Sequence, residues 1–131
     1  MTGCVLDTSV VIAVALAEPS TGDILVRLAN HDLRLIGLPS VLEARMVLAG
    51  RRPGLSPDAI DDLLQSLAVQ AVDFTMQMER AAWRAWQRFG KGRHPAALNF
   101  GDCMSYGVAH ALNLPLLFIG DDFVKTDMAV A

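Results

Sequence analysis

Short apolar runs, each followed by polar residues and a helical pattern, constrain the fold of this chain more than any other feature. GCVLD (3–7), LRLIGL (33–38) and LPLLFIG (114–120) are rich in Val, Ile and Leu, and the stretch from Leu114 to Ile119 is wholly apolar. A strand that is apolar on both faces has to be covered on both faces. These runs therefore predict a buried, mainly parallel sheet with helices packed on each side.

The segments between these runs have helical patterns, and one further run alternates in the manner of a strand. VQAVDF (69–74) alternates apolar and polar residues, which predicts another strand. Helices are predicted over residues 8–17, 22–31, 40–49, 57–68, 75–89 and 102–112, with a loop over 90–101. The fold class that follows is α/β, a three-layer α/β/α sandwich with a mainly parallel central sheet. At 131 residues, the chain is expected to form a single domain over residues 1–131.

Composition and cysteine usage narrow the class of protein. With 53% hydrophobic and 19% charged residues the chain is not disordered, and its net charge of −3 does not by itself indicate a nucleic-acid binder. Cys4 and Cys103 lie among apolar residues and are expected to be buried thiols in a reducing compartment. No signal-peptide pattern is found at the start, and VVIAVALA is far too short to span a bilayer. We therefore expect a cytoplasmic protein with no membrane contact.

Acidic residues gather at the carboxyl ends of the predicted strands, namely Asp7, Glu43, Asp102, Asp121 and Asp122. Each has an ordinary local explanation. Asp7 fits an N-cap, and SVLE (40–43) fits a capping box in which Ser40 pairs with Glu43. Asp102 lies in the first turn of a helix, where the dipole favours an anion, and Asp121 and Asp122 fit a polar turn.

The shared placement of these acids favours a metal site. Carboxylates brought together at one edge of a sheet repel one another, and some take up protons unless a cation is bound. A ligand set made only of oxygen, without His or Cys, selects Mg²⁺ or Mn²⁺ over zinc. Such ions act on phosphates, since they acidify a water and shield the charge on phosphoryl oxygens. The acids therefore point to phosphodiester or phosphoryl chemistry.

Several of these motifs together resemble the PIN-domain ribonucleases, and among them the VapC-type toxins of bacterial toxin–antitoxin modules. The matching stretches are CVLDTSVVIAVALAEP (4–19), SVLEA (40–44), GKGRHPAALNFGDCMSYGVAHALNLPLLFIGDDF (90–123) and KTD (125–127). The resemblance implies an α/β/α sandwich with one strand more than the four found above, expected near the C-terminus. It also implies Mg²⁺-dependent endonucleolytic cleavage of RNA that leaves a 5′-phosphate and a 3′-hydroxyl. A homodimer and a small VapB-type antitoxin are the partners that it implies.

The resemblance also assigns roles to individual residues. The catalytic acids are expected at Asp7, Glu43, Asp102 and Asp122, with Asp121 as the alternative for the last. Asp7 and Asp102 would be the main metal ligands, and Glu43 and Asp122 would complete the shell or orient the nucleophile. Ser9, Thr126 and Asp127 are expected to support the site.

The RNA substrate needs cations outside the acidic site, because phosphate contacts dominate affinity for nucleic acids. The dense basic stretch runs from Arg80 through Arg84 and Arg88 to Lys91 and Arg93. The alternative to RNA binding is that the arginines only form the solvent-exposed face of a helix. The loop that leads into Asp102 makes Lys91, Arg93 and Asn99 the best candidates for RNA contacts, together with Arg88. Trp83 and Trp86 are expected to be core or dimer contacts rather than base-stacking platforms.

Two other phosphate-handling classes share part of this pattern. A phosphotransfer receiver domain, which binds Mg²⁺ at clustered acids, is the main alternative, but it needs an acid pair after the first strand and a lysine after the last. A haloacid-dehalogenase-like phosphatase needs a second Asp two residues after the first, where this chain has Ser9. A non-catalytic interaction domain would leave the acids unexplained.

Overall fold

The computed structural model describes residues 2–131, in which strands and helices alternate. The strands are β1 Gly3–Leu6, β2 Leu33–Gly37, β3 Gln70–Val72 and β4 Leu116–Leu117. The α-helices are α1 Thr8–Ala15, α2 Thr21–Ala29, α3 Leu38–Arg51, α4 Ala59–Ser66, α5 Met76–Phe89 and α6 Phe100–Leu112, and a 3-10 helix follows at Phe123–Lys125. Over residues 2–131, none of these helices combines the length and the apolarity needed to cross a membrane.

The sheet is parallel throughout, with strand order β3-β2-β1-β4. The register pairs Cys4 of β1 with Arg34 of β2, and Leu6 of β1 with Leu117 of β4. Because the strands run in one direction, their carboxyl ends meet at one edge, which we call the carboxyl edge. Ligand sites of open α/β sheets lie outside this edge.

Successive side chains of the central strand enter two separate cores. Cys4 and Leu6 point into a core with α1, α2, α3 and α4, whereas Val5 points into a core with α5 and α6. Leu6 is fully buried, which contributes about 2 kcal/mol for a leucine side chain. Helices therefore cover both faces of the sheet, and the predicted three-layer sandwich is confirmed.

The C-terminal segment adds one more parallel pairing to the edge of the sheet. Leu116 N–H donates to the Ala129 carbonyl at 2.9 Å, and Ala131 N–H donates to the Leu116 carbonyl at 2.9 Å. These bonds make a single parallel bridge between Leu116 and Val130. The additional strand expected near the C-terminus is thus present as a bridge rather than as a full strand.

The start of α3 departs from the sequence prediction. Gly37 is the N-cap and Pro39 lies within the first two helical positions, so that the chain passes from β2 into the helix without a connecting loop. Ser40 is consequently inside the helix, where its buried hydroxyl lies 3.2 Å from Ser105 Oγ. The predicted capping box of Ser40 and Glu43 is wrong, because the helix has already begun when the chain reaches Ser40.

A glycine sets the distance between α5 and α6. A Cβ at Gly107 would collide with the Met78 carbonyl oxygen and would lie 3.1 Å from Ala82 Cβ. The two helices therefore approach more closely than a side chain at position 107 would permit. This contact fixes α6, and with it the first turn of α6 at the carboxyl edge.

Candidate active site

Asp7 is the residue that follows β1, and its carboxylate is buried at the carboxyl edge with 6% of its surface exposed. It is the N-cap of α1: its Oδ2 accepts hydrogen bonds from Ser9 N–H at 3.2 Å and from Ser9 Oγ at 2.6 Å. The other oxygen, Oδ1, accepts a hydrogen bond from Ser105 Oγ. Donors from two helices therefore hold this carboxylate in one orientation.

Asp102 lies in the first turn of α6 and is also buried, with 9% exposed. Asn99 caps this helix, and the capping is reciprocal: Asn99 Oδ1 accepts from Asp102 N–H at 2.9 Å, and Asp102 Oδ2 accepts from Asn99 N–H at 3.1 Å. Burial raises the pKa of the Asp102 carboxyl to about 7 and the charges of Asp7 and Asp122 add to the rise, although the Asn99 N–H opposes it. Among residues 2–131, no cationic side chain contributes to the pKa of this carboxyl.

Glu43 approaches Asp102 from α3, across Gly101. A Cβ at position 101 would lie 2.6 Å from Glu43 Oε2 and 2.8 Å from Oε1. Glycine at this position therefore leaves the space that the Glu43 carboxylate occupies, beside the residue that precedes Asp102. Glu43 is half-buried, so its carboxylate is in reach of solvent.

The two aspartates after β4 differ in their effect on Asp102. Asp122 lies within hydrogen-bonding reach of Asp102, and its charge contributes to the raised pKa of Asp102. Asp121 makes no such contribution. Of the two aspartates left open by the sequence, the structure brings Asp122 to the other acids.

The carboxylates at the carboxyl edge fit a divalent cation that keeps several of its waters better than a cation enclosed wholly by protein ligands. Asp7, Asp102 and Asp122 offer only oxygen, and the charges of Asp7 and Asp122 add to the rise in the Asp102 pKa that burial mainly causes. Within residues 2–131, no three acidic, histidine or cysteine side chains converge into a ready-made metal cage. Magnesium keeps several waters and binds proteins through one or two carboxylates, so it needs no such cage.

Of the three residues predicted to support the site, Ser9 contacts a candidate metal ligand directly, whereas Thr126 makes a local turn contact. Ser9 joins Asp7 to the end of β4, because its hydroxyl donates to Asp7 and accepts from Ile119 N–H at 3.1 Å. Thr126 Oγ1 donates to the Phe123 carbonyl at 2.7 Å and closes the turn after the 3-10 helix.

Asp127 contacts none of the acids directly. Its Oδ1 accepts from the Tyr106 hydroxyl at 2.7 Å, and its Oδ2 accepts from Arg88 at 3.1 Å. Tyr106 lies one helical turn beyond Asp102, so Asp127 fastens the tail to α6. Burial and then the bond to Asp127 raise the pKa of Tyr106 well above its ordinary value.

The four predicted RNA contacts are exposed but not equally free. Arg88 is paired with Asp127, and Asn99 uses its side-chain oxygen to cap α6. The Arg93 guanidinium lies 4.3 Å from the centre of the Trp86 ring. Lys91 is exposed at the start of the loop, beside Gly90. Their contact with RNA stays a prediction.

Sequence reasoning missed Ser105 and the role of Ser40. Ser105 is buried with 1% exposed, and it links Asp7 to Ser40 through hydrogen bonds on both sides. The available signal was the spacing of Ser105 from Asp102, three residues along one helix, which places both on the same face. The contact with Asp7 joins positions 98 residues apart, and the sequence does not reveal it.

The cysteines are buried free thiols, as predicted. Burial, followed by the charge of Asp102, raises the pKa of Cys103 to about 11, and burial raises that of Cys4 to about 11. Both thiols are therefore protonated at neutral pH, and Cys103 is excluded as a nucleophile.

A family model, described as PIN domain, matches residues 4–128. The chain belongs to the PIN-domain family. This membership sets aside the receiver and phosphatase alternatives. It also confirms the resemblance drawn from the GKGRH, GDC and GDDF stretches.

Relatives of this PIN-domain chain are VapC ribonucleases. Ribonuclease VapC36 of Mycobacterium tuberculosis is 37% identical over 125 residues, which are 95% of this chain and 90% of that protein. Ribonuclease VapC30 of the same species is 38% identical over 125 residues and 95% of each chain. Ribonuclease VapC of Mycolicibacterium smegmatis is 36% identical over 95% of this chain and 97% of its own length. The chain therefore lies among the VapC members of the PIN-domain family.

Solved structures of VapC proteins share the fold. VapC20 of Mycobacterium tuberculosis, a toxin that cleaves the sarcin-ricin loop, superposes with a TM-score of 0.77 at 18% identity over 98% of each chain. The VapBC2 complex of Rickettsia felis, bound to a DNA fragment from its promoter, gives a TM-score of 0.75 at 15% identity over 98% of this chain and 96% of that chain. At these identities the likeness establishes the fold alone.

Proposed function

We propose that this PIN-domain chain is the toxin of a type II toxin–antitoxin pair and acts as a metal-dependent endoribonuclease. The observation that carries the proposal is the burial of Asp102 beside Asp7 and Asp122 at the carboxyl edge. Relatives named as VapC ribonucleases support RNA as the substrate. Residues 1–131 would work as a single nuclease domain, in the cytoplasm, where cellular RNA is found.

In this proposal the carboxylates divide into ligands and helpers. Asp7 and Asp102 are the main ligands for Mg²⁺, with Mn²⁺ as a substitute, and Ser9 and Ser105 keep Asp7 aimed at the cation. Glu43 and Asp122 hold water and orient the nucleophile. When bound, the cation supplies an acidified water and shields the charge on the phosphoryl oxygens.

The helices supply the rigidity that this chemistry needs. Asp7 caps α1, and Asp102 in the first turn of α6 closes the capping box with Asn99, so each carboxylate is fixed at the start of a helix. Positioning reacting groups within a fraction of an ångström removes much of the entropic barrier to attack on phosphorus. Thr126 and Asp127 contribute by securing the tail that carries Asp122.

The substrate strand would approach from the loop before α6. Lys91 and Arg93 are exposed there and would contact phosphates, with Arg88 and Asn99 at the margin. Each phosphate neutralised by such a side chain releases counterions, so binding should weaken steeply with salt.

The proposed partners are a VapB-type antitoxin and a second copy of this chain. Large apolar side chains on the α3 and α6 surface are exposed beside Glu43, among them Leu42, Met46 and Phe100 at 58%, 67% and 78%. Exposed apolar surface of this kind supports a protein partner that covers it. The solved toxin–antitoxin complex from Klebsiella pneumoniae, with a TM-score of 0.71 to this fold, is an assembly of the proposed type.

A cleavage assay with metal removal tests the proposed activity. The purified chain is incubated with RNA in Mg²⁺, in EDTA, and in EDTA followed by excess Mg²⁺ or Mn²⁺. Cleavage should stop with the chelator and return with either ion. The Asp102→Asn variant should stay folded by circular dichroism, because Asn can still accept the Asn99 N–H bond, yet it should not cleave.

Two results would count against the proposal. Cleavage that continues in EDTA would remove the metal from the mechanism, and wild-type activity of Asp102→Asn would remove Asp102 from the site. Expression of the chain in bacteria tests the toxin assignment separately. It should arrest growth when it is expressed alone and become harmless when its VapB-type antitoxin is co-expressed.

A further inference from the structure

Helix α6 contains two glycines, Gly101 and Gly107, although glycine is among the residues that favour a helix least. At Gly107 a Cβ would collide with the Met78 backbone carbonyl, which cannot move unless α5 moves, so close helix packing explains this glycine. At Gly101 the three atoms nearest to a Cβ all belong to the carboxylate group of Glu43, at 2.6, 2.8 and 3.0 Å. The two glycines therefore have different roles.

The Glu43 carboxylate lies at the N-terminal end of α6, where an anion is favoured. Gly101 is the second residue of this helix, which begins at Phe100. The N–H groups of a first turn have no partner within the helix, and the helix dipole gives this end a partial positive charge. Asn99 accepts from one of these groups, the Asp102 N–H. The first turn therefore attracts the carboxylate, and the missing side chain at position 101 leaves room for it.

The obstacle to a methyl group at position 101 is this carboxylate, which is movable. Gly101 does not have a positive φ, so alanine can adopt its backbone conformation. The carboxylate is the far end of a flexible side chain on α3. Gly101 and Glu43 both line an open groove of about 420 Å³, into which the carboxylate can turn. The fold should therefore tolerate alanine at position 101, while the Glu43 carboxylate should be displaced.

We propose that Gly101 is a positioning residue: the space that it leaves lets the Glu43 carboxylate rest against the first turn of α6, which carries Asp102. The inference rests on the proposed ribonuclease function, in which Glu43 holds water and orients the nucleophile. A misplacement of such a group by about 1 Å can lower a rate by about a hundredfold. Gly101 thus weakens the helix but permits the placement of Glu43, a conflict with local propensity that is typical of functional sites.

Gly101→Ala and Gly22→Ala form a matched pair of variants. Gly22 is the second residue of α2, and among residues 2–131 a Cβ there would meet no other part of the chain within 4 Å. Both variants make the same change at the same position of a helix, so neither should lower the melting temperature. Gly101→Ala should lower kcat for RNA cleavage by about a hundredfold at an unchanged KM, whereas Gly22→Ala should keep both constants.

A further variant, Glu43→Gln, tests whether Gly101 acts through Glu43. Gln has the length of Glu without its charge, so Glu43→Gln should lower kcat at least as much as Gly101→Ala does. Two changes that remove the same interaction are not additive. The double variant should therefore cleave at the rate of Glu43→Gln alone. A double variant in which the two losses multiply would show that Gly101 affects cleavage by another route, and the inference would be wrong.

Thermal melts without RNA or metal measure the contact itself. Glu43→Ala removes the carboxylate that a methyl group at position 101 has to displace. Gly101→Ala should therefore raise the melting temperature more in the Glu43→Ala chain than in the wild-type chain. Gly22→Ala is again the control, and its effect on the melting temperature should be the same in both chains.

Three other results would overturn the inference. They are a wild-type kcat of Gly101→Ala, a loss that appears in KM alone, and equal effects of Gly101→Ala on the melting temperatures of the two chains. A loss in KM alone would make position 101 a part of the surface that binds RNA. If the melting temperatures behave as expected but the wild-type chain never cuts RNA, the proposed function fails, while the contact between Gly101 and Glu43 remains established.

Discussion

The four carboxylates at the carboxyl edge fall into two pairs that differ in how firmly they are held. Asp7 and Asp102 are buried at the starts of α1 and α6, and they accept hydrogen bonds from Ser9, Ser105 and Asn99. Glu43 is half-buried and Asp122 is exposed. Asp122 lies in reach of Asp102, which is itself an acid, and Glu43 lies beside Gly101.

This difference in burial and hydrogen bonding indicates which acids the fold holds in place before any ligand binds. A carboxylate fixed by backbone and hydroxyl donors has one orientation, and it suits a permanent ligand. A carboxylate facing solvent adjusts its rotamer, and it suits a group that holds water or follows the substrate. The buried pair should therefore tolerate substitution least.

After Asp102→Asn, replacement of Asp7 by Asn should have the largest effect on cleavage. Asn is as good an N-cap as Asp, so α1 and the melting temperature should be preserved. Loss of one charged ligand should lower the rate of RNA cleavage by on the order of a thousandfold. Kinetics together with a thermal melt check both parts. A folded variant with a rate near that of the wild type would show that Asp7 is only a cap.

The aspartates after β4 provide a matched pair for the exposed acids. Asp122→Asn should lower the cleavage rate by about a hundredfold, because Asp122 lies beside Asp102. Asp121→Asn should leave the rate unchanged, although it removes the same charge one residue away. Equal cleavage rates for the two variants would refute the assignment of Asp122, rather than Asp121, to the site.

Ser105 tests whether the hydroxyl that reaches Asp7 affects the chemistry. Ser105→Ala should reduce Mn²⁺ affinity and cleavage by about tenfold, which is the usual cost of losing a bond to a metal ligand. Ser40→Ala is the control, since it removes the other half of the same buried hydroxyl pair without touching Asp7. Both variants should lose about 1 kcal/mol of stability. If the two reduced Mn²⁺ affinity equally, Ser105 would have only a structural role.

A smaller effect is expected in the free energy of unfolding, which should depend on pH through the titration of Asp102. Its pKa is about 7 in the folded chain and 3.8 in the reference state, so the folded form binds more protons between these values. Stability without metal should therefore fall as the pH rises from about 4 to about 7, by on the order of 1–2 kcal/mol after solvent screening. Asp102→Asn should flatten this slope in urea unfolding curves, and a slope equal to that of the wild type would contradict the assignment.

The sequence was informative where local physics decides the structure. The apolar runs located β1, β2 and β4, and the helical pattern located α6, although the helix begins at Phe100 rather than at residue 102. It misled at Ser40, where SVLE has the composition of a capping box but the chain enters α3 at Leu38. Local sequence preference indicates which residues can cap a helix. The end of the preceding strand determines at which residue the helix begins.

Contacts between segments that are distant along the chain could not be predicted from sequence patterns. The choice between Asp121 and Asp122 depends on the turn after β4, and the bond between Ser105 and Asp7 depends on how α6 packs across the sheet. Trp83 is a similar case: the sequence left it as a core or a dimer contact, and its exposure of 53% excludes the core while the dimer contact stays a prediction. A tryptophan on an amphipathic helix is buried on average, and its exposure beside Phe100 depends on the position of α6.

Isothermal titration of the chain with Mn²⁺ at about pH 6.5, in two buffers of different ionisation enthalpy, tests the shared metal site most directly. Because Asp102 is largely protonated there, Mn²⁺ should bind and expel a large fraction of one proton, and Asp102→Asn should lose both the binding and the proton release. Equal affinity and equal proton release in the wild-type and Asp102→Asn chains would contradict a cation held between Asp7 and Asp102.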